Sequence, residues 1–255
     1  MKIQIFGMGV VGTAQAVAMR CLGHEINCVD SDPTIKLPFF AKAGYSDADV
    51  TFICTPESAV PGVISQFANG KYAGLFVIKS TVKPGTTNEL MKLYDVHICN
   101  NPEFLRQRSN IEDALSPSRI VIGTCCSAHS QILLDLYLPM GRPIVFTTPT
   151  LSELAKLAVN SLRASIITYW NEMDELCKKL DVSTEELAKI VQTDKSIGEF
   201  EGGSWGTRFF GEPFGGKCLP KDLVQLIGSF RDQGLNPLFF EAVESYNKRK
   251  EVKDS

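Results

Sequence analysis

Residues 2–12 read Lys2-Ile3-Gln4-Ile5-Phe6-Gly7-Met8-Gly9-Val10-Val11-Gly12, and this stretch decides the fold. A β-rich run of strand length meets a GxGxxG, and a helical pattern follows over 11–22. A second strand-like run, 25–29, ends at Asp30. Strand, glycine turn, helix and a strand closing on a carboxylate are the parts of a dinucleotide-binding βαβ unit. Gly7 permits the tight turn, Gly9 lets a pyrophosphate approach the backbone, and Gly12 lets helix and strand pack closely. The helix start at Val10 and Val11 offers backbone N–H groups to phosphate. Asp30 stands where a carboxylate accepts from adenosine ribose hydroxyls and repels a 2′-phosphate, which selects NAD over NADP.

Working outward, the alternation of short β-rich runs and helical stretches continues to about residue 147. Strands are expected at 2–6, 25–29, 50–54, 75–79, 96–100, 119–123 and 143–146, with helices at 11–22, 58–68, 86–94 and 128–138. The class is α/β: a Rossmann-type doubly wound parallel sheet covered on both faces. The pattern changes after Pro149. Residues 151–180 contain neither Gly nor Pro, and Leu154, Leu157, Ala158, Leu162, Ile166, Tyr169, Met173, Leu176 and Leu180 recur at helical spacing. That predicts one long central helix of about 45 Å, with Thr150 or Ser152 to cap it. A helix so long needs a partner along its length, which predicts a homodimer through 151–180. Further helices are expected at 183–192, 221–232 and 237–248. The domains are thus 1–148, for the dinucleotide, and 149–255, all-helical. The Gly- and aromatic-rich loop 198–216 between the later helices reads as functional.

The sharpest chemistry lies in Phe214-Gly215-Gly216-Lys217-Cys218-Leu219-Pro220-Lys221-Asp222. Gly215 and Gly216 let backbone approach a ligand, and Pro-Lys-Asp opens a helix immediately after Cys218. A helix N-terminus and the flanking lysines favour the thiolate, the nucleophilic form. On the long helix Glu153, Lys156 and Asn160 share a face. That face reads either as a solvated stripe or as an ammonium and an amide aimed at charge developing on oxygen. Thr55 and Pro56, Lys79-Ser80-Thr81, and Asn101-Pro102-Glu103-Phe104-Leu105-Arg106 follow strands, where open α/β sheets bind ligands. Glu103 suits a general acid or base, and Thr81 can hold a water or hydroxyl.

The net charge of −3 gives no reason to expect a nucleic acid. No run approaches a membrane span, and the N-terminus enters a strand without a signal-peptide pattern. The eight cysteines form no CxxC, which fits a reducing, cytoplasmic compartment. His24, His97 and His129 read as isolated from one another and from cysteine, so no metal is expected.

In order and character, GMGVVG, VD at 29–30, CTP (54–56), KSTVKPGTT (79–87), NPEFLR (101–106), ELAKLAVNSLR (153–163) and FGGKCLPKD (214–222) resemble the UDP-glucose/GDP-mannose dehydrogenase family. The resemblance spans nearly the whole chain. It implies an NAD-binding Rossmann domain, a helical dimerisation domain, an active site between them, and oxidation of a sugar C6 hydroxymethyl to a carboxylate. It further implies that Cys218 is the nucleophile and that Lys156 and Asn160 stabilise the oxyanion. Asp222 and Thr81 would position water and relay protons, and Glu103 would be the acid/base of thioester hydrolysis. Phe104, Leu105, Arg106 and Gly215, with Lys156 and Asn160, would line the substrate, and the segment from Lys195 onward would wrap it.

The chain departs from the pattern in three ways. It stops after the helix that leads into the family's third domain, Gln107 stands where a glutamate is usual, and the stretch from Asp30 to Asp47 is short. Two other functions stay open: a non-catalytic NAD-binding homologue or helper, and a two-electron 3-hydroxyacid-type dehydrogenase that needs no nucleophilic cysteine.

Overall fold

The apolar runs become the strands of a single sheet in the computed structural model, which describes residues 1–43, 47–67, 74–106, 109–194, 211–216 and 218–253. The strands are β1 (Lys2–Phe6), β2 (Glu25–Val29), β3 (Lys42–Ala43), β4 (Val50–Ile53), β5 (Leu75–Ile78), β6 (Ile98–Asn100), β7 (Ile120–Gly123) and β8 (Ile144–Thr147), ordered β3-β2-β1-β4-β5-β6-β7-β8. Every neighbouring pair is parallel except β6 and β7, which meet antiparallel with Asn100 opposite Gly123. The helices of this part are α1 (Val10–Cys21), α2 (Val60–Phe67), α3 (Thr86–Tyr94), α4 (Asn110–Leu115) and α5 (Ser127–Tyr137).

Period-two alternation sorts the strand side chains into two apolar layers. Ile3, Ile5, Phe52, Val77 and Ile122 join Ala16 and Met19 of α1 and Leu133 of α5. Ile53, Phe76, Ile78 and Ile98 face the other way, against Val60 and Ile64 of α2 and Leu90 of α3. Phe52 and Phe76 are fully buried on these opposite faces. Truncating either to Ala would cost about 3–5 kcal/mol.

The long helix α6 is Pro149–Leu180, 32 residues. Its expected cap is displaced. The Leu151 N–H donates to Thr148 Oγ1, so Thr148 caps the helix and Pro149 takes the first helical position. Thr150 instead accepts from Asn88 Nδ2, and Ser152 Oγ donates to Asn100 Oδ1 at 2.5 Å. Gly123 permits the close approach of α6 to β7. A Cβ there would lie 2.6 Å from Pro149 Cα.

Contacts divide the chain into two units, Met1–Lys156 and Leu157–Ser255. The division falls inside α6, so Glu153 and Lys156 belong to the first unit and Asn160 to the second. The second unit adds α7 (Thr184–Gln192), α8 (Leu219–Asp232) and α9 (Leu238–Lys253). Its core joins Ala164 of α6, Phe214, Leu223 and Ile227 of α8, and Val243 of α9.

The histidines correct the reading made from sequence spacing. His97 and His129 stack with ring centroids 4.7 Å apart, beside Cys125 and Cys126. Sequence separation hid this because His97 precedes β6 whereas Cys125, Cys126 and His129 follow β7, and the two strands run antiparallel. No described helix is long and apolar enough to cross a membrane.

Candidate active site

The glycine loop has a shape that suits a pyrophosphate. Gly7 sits at φ +85°, and a Cβ on it would be 2.8 Å from the Cys54 carbonyl carbon. A Cβ on Gly12 would be 1.8 Å from the Gly7 oxygen, so no other residue fits. Around Gly9 a Cβ would meet nothing within 4 Å, which leaves the space a ligand needs. Gly9 is also the N-cap of α1 and supplies no side-chain cap. The first-turn N–H groups, at Val10, Val11 and Gly12, stand at this helix start without a side-chain cap. Asp30 closes the loop from β2. It accepts from Met8 N at 2.5 Å and from Asp32 N at 2.9 Å.

Three loops follow the C-terminal ends of β4, β5 and β6. After β4, the Thr55 Oγ1 is buried and has no hydrogen-bond partner among the described residues, and Pro56 is exposed. A buried orphan hydroxyl beside the glycine loop fits a nucleotide that would satisfy it. After β5, Ser80 Oγ donates to Thr55 O at 2.6 Å and ties the two loops, and Thr81 is half-buried. Lys79 is buried, and burial pulls its ammonium down to about 8. It donates to Asn101 Oδ1 at 2.8 Å, and Tyr137 Oη donates to the same oxygen at 2.6 Å.

After β6 comes the acidic group. Glu103 Oε1 pairs with Lys156 Nζ at 2.9 Å, with side chains only 9% and 4% exposed. The other carboxylate oxygen accepts from Leu105 N at 2.6 Å. Phe104 is flanked by two cations, Arg119 at 4.5 Å and Lys156 at 5.7 Å from its ring centre. Arg106 points to Asp113 in α4, pairing through Nη2 at 2.7 Å, and is exposed. Of the two readings of the α6 face, the solvated stripe is excluded because Glu153, Lys156 and Asn160 are all buried. Glu153 stands apart from that chemistry. It accepts from Gly85 N at 2.6 Å, Thr87 N at 2.8 Å and Thr87 Oγ1 at 2.5 Å, holding the start of α3. Burial raises its carboxyl above the usual range, against the pull of those hydrogen bonds.

In the second unit, Asn160 Nδ2 donates to Asp222 Oδ2 at 2.6 Å, both residues being buried. Lys221 Nζ sits 2.6 Å from Asp222 Oδ1. Asp222 N donates to Cys218 O at 2.9 Å across the first turn of α8, with Pro220 near its start. Cys218 is therefore the N-cap of α8, and its thiol is exposed. Gly216 has φ +78°, as a turn into that helix requires, and Gly215 before it is exposed.

Two asparagines that sequence reasoning passed over hold the approach to this turn. Asn171 of α6 accepts from Gly211 N and donates to Glu212 O. Asn247 of α9 accepts from Phe214 N at 2.7 Å and donates to Phe214 O at 2.9 Å. No signal in the sequence marked them, since an amide on a helix reads as a solvated side chain until its burial is known. Gln107, Lys217 and the loop from Lys195 to 210 lie outside the described residues.

The site residues therefore form two sets. Glu103, Phe104, Leu105 and Lys156 are gathered in the first unit, and Asn160, Cys218 and Asp222 in the second. Arg106 leaves its set to pair with Asp113.

Comparison with known proteins bears on both sets. The NAD-binding domain of the UDP-glucose/GDP-mannose dehydrogenase family matches residues 38–141, and that family's central domain matches residues 150–249. The UDP-glucose 6-dehydrogenase of Rickettsia conorii is 30% identical over 298 residues, covering 98% of this chain and 67% of that protein. The UDP-glucose dehydrogenase of the hyperthermophilic archaeon Pyrobaculum islandicum matches with a TM-score of 0.88 at 28% identity, over 97% of this chain and 68% of that one. The UDP-D-ManNAc dehydrogenase of Pyrococcus horikoshii, 20% identical with a TM-score of 0.83 over 98% of this chain and 69% of that one, shares the fold. The chain thus spans about two thirds of the length of these relatives.

Proposed function

The chain belongs to the UDP-glucose/GDP-mannose dehydrogenase family of NAD-dependent oxidoreductases, and from that premise we propose that it oxidises the C6 hydroxymethyl of a nucleotide sugar to a carboxylate. UDP-glucose is the first substrate, since the relatives matching 98% of the chain are named UDP-glucose 6-dehydrogenase. The observation that carries the reading is the buried Asn160–Asp222 hydrogen bond at 2.6 Å, one helical turn from the Cys218 thiol. An amide, a carboxylate and an exposed thiol at a helix N-terminus are what acyl capture needs.

Gly7, Gly9, Val10, Val11, Gly12, Asp30, Thr55, Pro56 and Thr81 would hold NAD. When bound, NAD supplies the hydride acceptor for each of the two oxidations. The remaining work falls to the chain. The first oxidation leaves an aldehyde, and the Cys218 sulfur attacks its carbon to give a thiohemiacetal. Lys156 and Asn160 donate to the oxygen as it gains charge. Loss of the second hydride leaves a thioester at Cys218. Thr81 and Asp222 orient a water, and Glu103 takes its proton as the water adds to the acyl carbon. Collapse breaks the C–S bond and returns the thiol. One hydroxymethyl, one water and two oxidised cofactors thus give one carboxylate, two reduced cofactors and three protons. Phe104, Leu105 and Gly215 would line the sugar; Arg106, paired with Asp113, would contribute its backbone to that wall.

Purified protein given NAD and a panel of nucleotide sugars is expected to form NADH with UDP-glucose. No NADH with any of the panel, despite bound NAD, would favour the non-catalytic helper. Asp30→Ala is expected to weaken NAD about tenfold to a hundredfold and to narrow selectivity against NADP. Unchanged affinity for both cofactors would remove Asp30 from the site.

The proposed assembly is a homodimer through α6. Leu162, Tyr169, Leu176 and Leu180 are 49%, 52%, 50% and 63% exposed. Their spacing of seven, seven and four residues aligns them on one face of the helix, a seam of the kind helix pairs bury. Replacing Leu162 and Leu176 together by Glu is expected to halve the mass measured by light scattering. An unchanged mass would put the interface elsewhere. The reducing, cytoplasmic compartment is proposed on cysteine usage: Cys28, Cys99 and Cys177 are packed as small hydrophobes.

A further inference from the structure

We propose that His97, Cys125, Cys126 and His129 form a zinc site, distinct from the catalytic residues. The ligand atoms of the four all lie within 4.8 Å of one another. Cys125 Sγ is 3.8 Å from His97 Nδ1 and 3.4 Å from His129 Nδ1, and Cys126 Sγ is 2.9 Å from His129 Nδ1. Around a tetrahedral Zn²⁺, with Zn–S about 2.3 Å and Zn–N about 2.0–2.1 Å, neighbouring ligand atoms stand about 3.4–3.8 Å apart. Two of the three separations already meet that spacing, and the third needs to open by less than an ångström or so. Two thiols and two imidazoles are a donor set that takes Zn²⁺ in preference to a hard cation such as Mg²⁺.

The fold explains why these four converge. Asn100 of β6 pairs with Gly123 of β7 in the antiparallel step of the sheet. Counting three residues back from Asn100 and three on from Gly123 brings His97 opposite Cys126. Cys126 is the N-cap of α5, and His129 lies one turn further along the same face. The start of that helix also favours a thiolate. On binding, the two thiols release their protons and Zn²⁺ takes their place.

The site is reachable and removed from the chemistry. His97 is exposed and the other three are half-buried, so an ion can enter from solvent. His97 precedes β6, whereas Asn101 and Glu103 follow it. At about 3.3 Å per residue, residues 97 and 101 are roughly 13 Å apart. The ion's role is structural: it pins the start of β6 to the turn between β7 and α5.

Reduced protein, stripped with a chelator and resupplied with Zn²⁺, tests this by elemental analysis. One zinc per chain is expected, and Co²⁺ in its place should give thiolate charge-transfer absorption with the d–d bands of a tetrahedral ion. Cys126→Ser with His129→Gln is expected to weaken binding about a hundredfold or more. His97→Gln, a change at an exposed ring, should also weaken it while the protein stays folded by circular dichroism. Cys218→Ser should bind as wild type does. Saturating Zn²⁺ is expected to raise the wild-type thermal midpoint by about 5 °C and leave the double variant unmoved. Binding below about a tenth of an equivalent, or binding lost in Cys218→Ser, would overturn the proposal. So would a Cys125–Cys126 disulfide in protein kept under reducing conditions.

Discussion

Cys218→Ser is expected to bind NAD as wild type does and to form nucleotide-sugar acid slower by on the order of 10⁴-fold. The reason is chemical rather than structural. Cys218 is the N-cap of α8, and serine is itself a favoured N-cap, so the helix should form unchanged. What changes is the atom. A thiolate sulfur attacks an aldehyde readily and leaves readily from the acyl carbon. A serine hydroxyl ionises far less readily and would need a general base beside it to do the same. The glycine loop and Asp30, proposed to receive NAD, lie in the other unit and are untouched. Acid formed at the wild-type rate would sink the covalent route and favour a two-electron dehydrogenase.

Lys156→Met is expected to cost about 3–5 kcal/mol of stability, read as a shift in urea midpoint. Its ammonium is the ion-pair partner of Glu103, and neither side chain is more than 9% exposed. Removing the cation leaves a carboxylate in a site with little water to replace it. The same variant is expected to lose on the order of 10²–10³ in kcat/KM, because the proposed donor to the developing oxyanion is gone. Pairing it with Glu103→Gln separates the two effects. The double variant has no buried unpaired charge, so stability should return in large part while activity stays low. A double variant no more stable than Lys156→Met alone would show that the pair does not account for the loss.

Much of the fold was legible because the chain repeats its signal. A strand such as 75–78 is apolar on both faces and is followed by a helical period, so class and strand positions follow from pattern alone. What escaped has physical reasons. β3 is two residues long, too short for any periodicity. The antiparallel β6–β7 step arises because residues 101–119 hold the Glu103 loop and the six-residue α4. Parallel neighbours need a full crossover helix on the sheet face, and that connection provides only a short one.

Legibility at the site splits along the same line between local and tertiary. Cys218 and Asp222 were readable since both belong to one helix start. That Glu153, Lys156 and Asn160 share a face was readable, but their burial was not, because helical period fixes a direction and not what covers it. Glu153 serving α3 illustrates this: its partners are more than sixty residues away in sequence, at 85 and 87. The Asn171 and Asn247 clamps, and the convergence of His97 with Cys125, depend wholly on contacts remote in sequence.

A four-electron oxidation through Cys218 is read from the NADH formed per sugar consumed. With limiting UDP-glucose and excess NAD, two NADH and one carboxylate per sugar are expected, with no aldehyde released to a trapping hydrazine. One NADH per sugar, with the aldehyde or a ketone as final product, would contradict it.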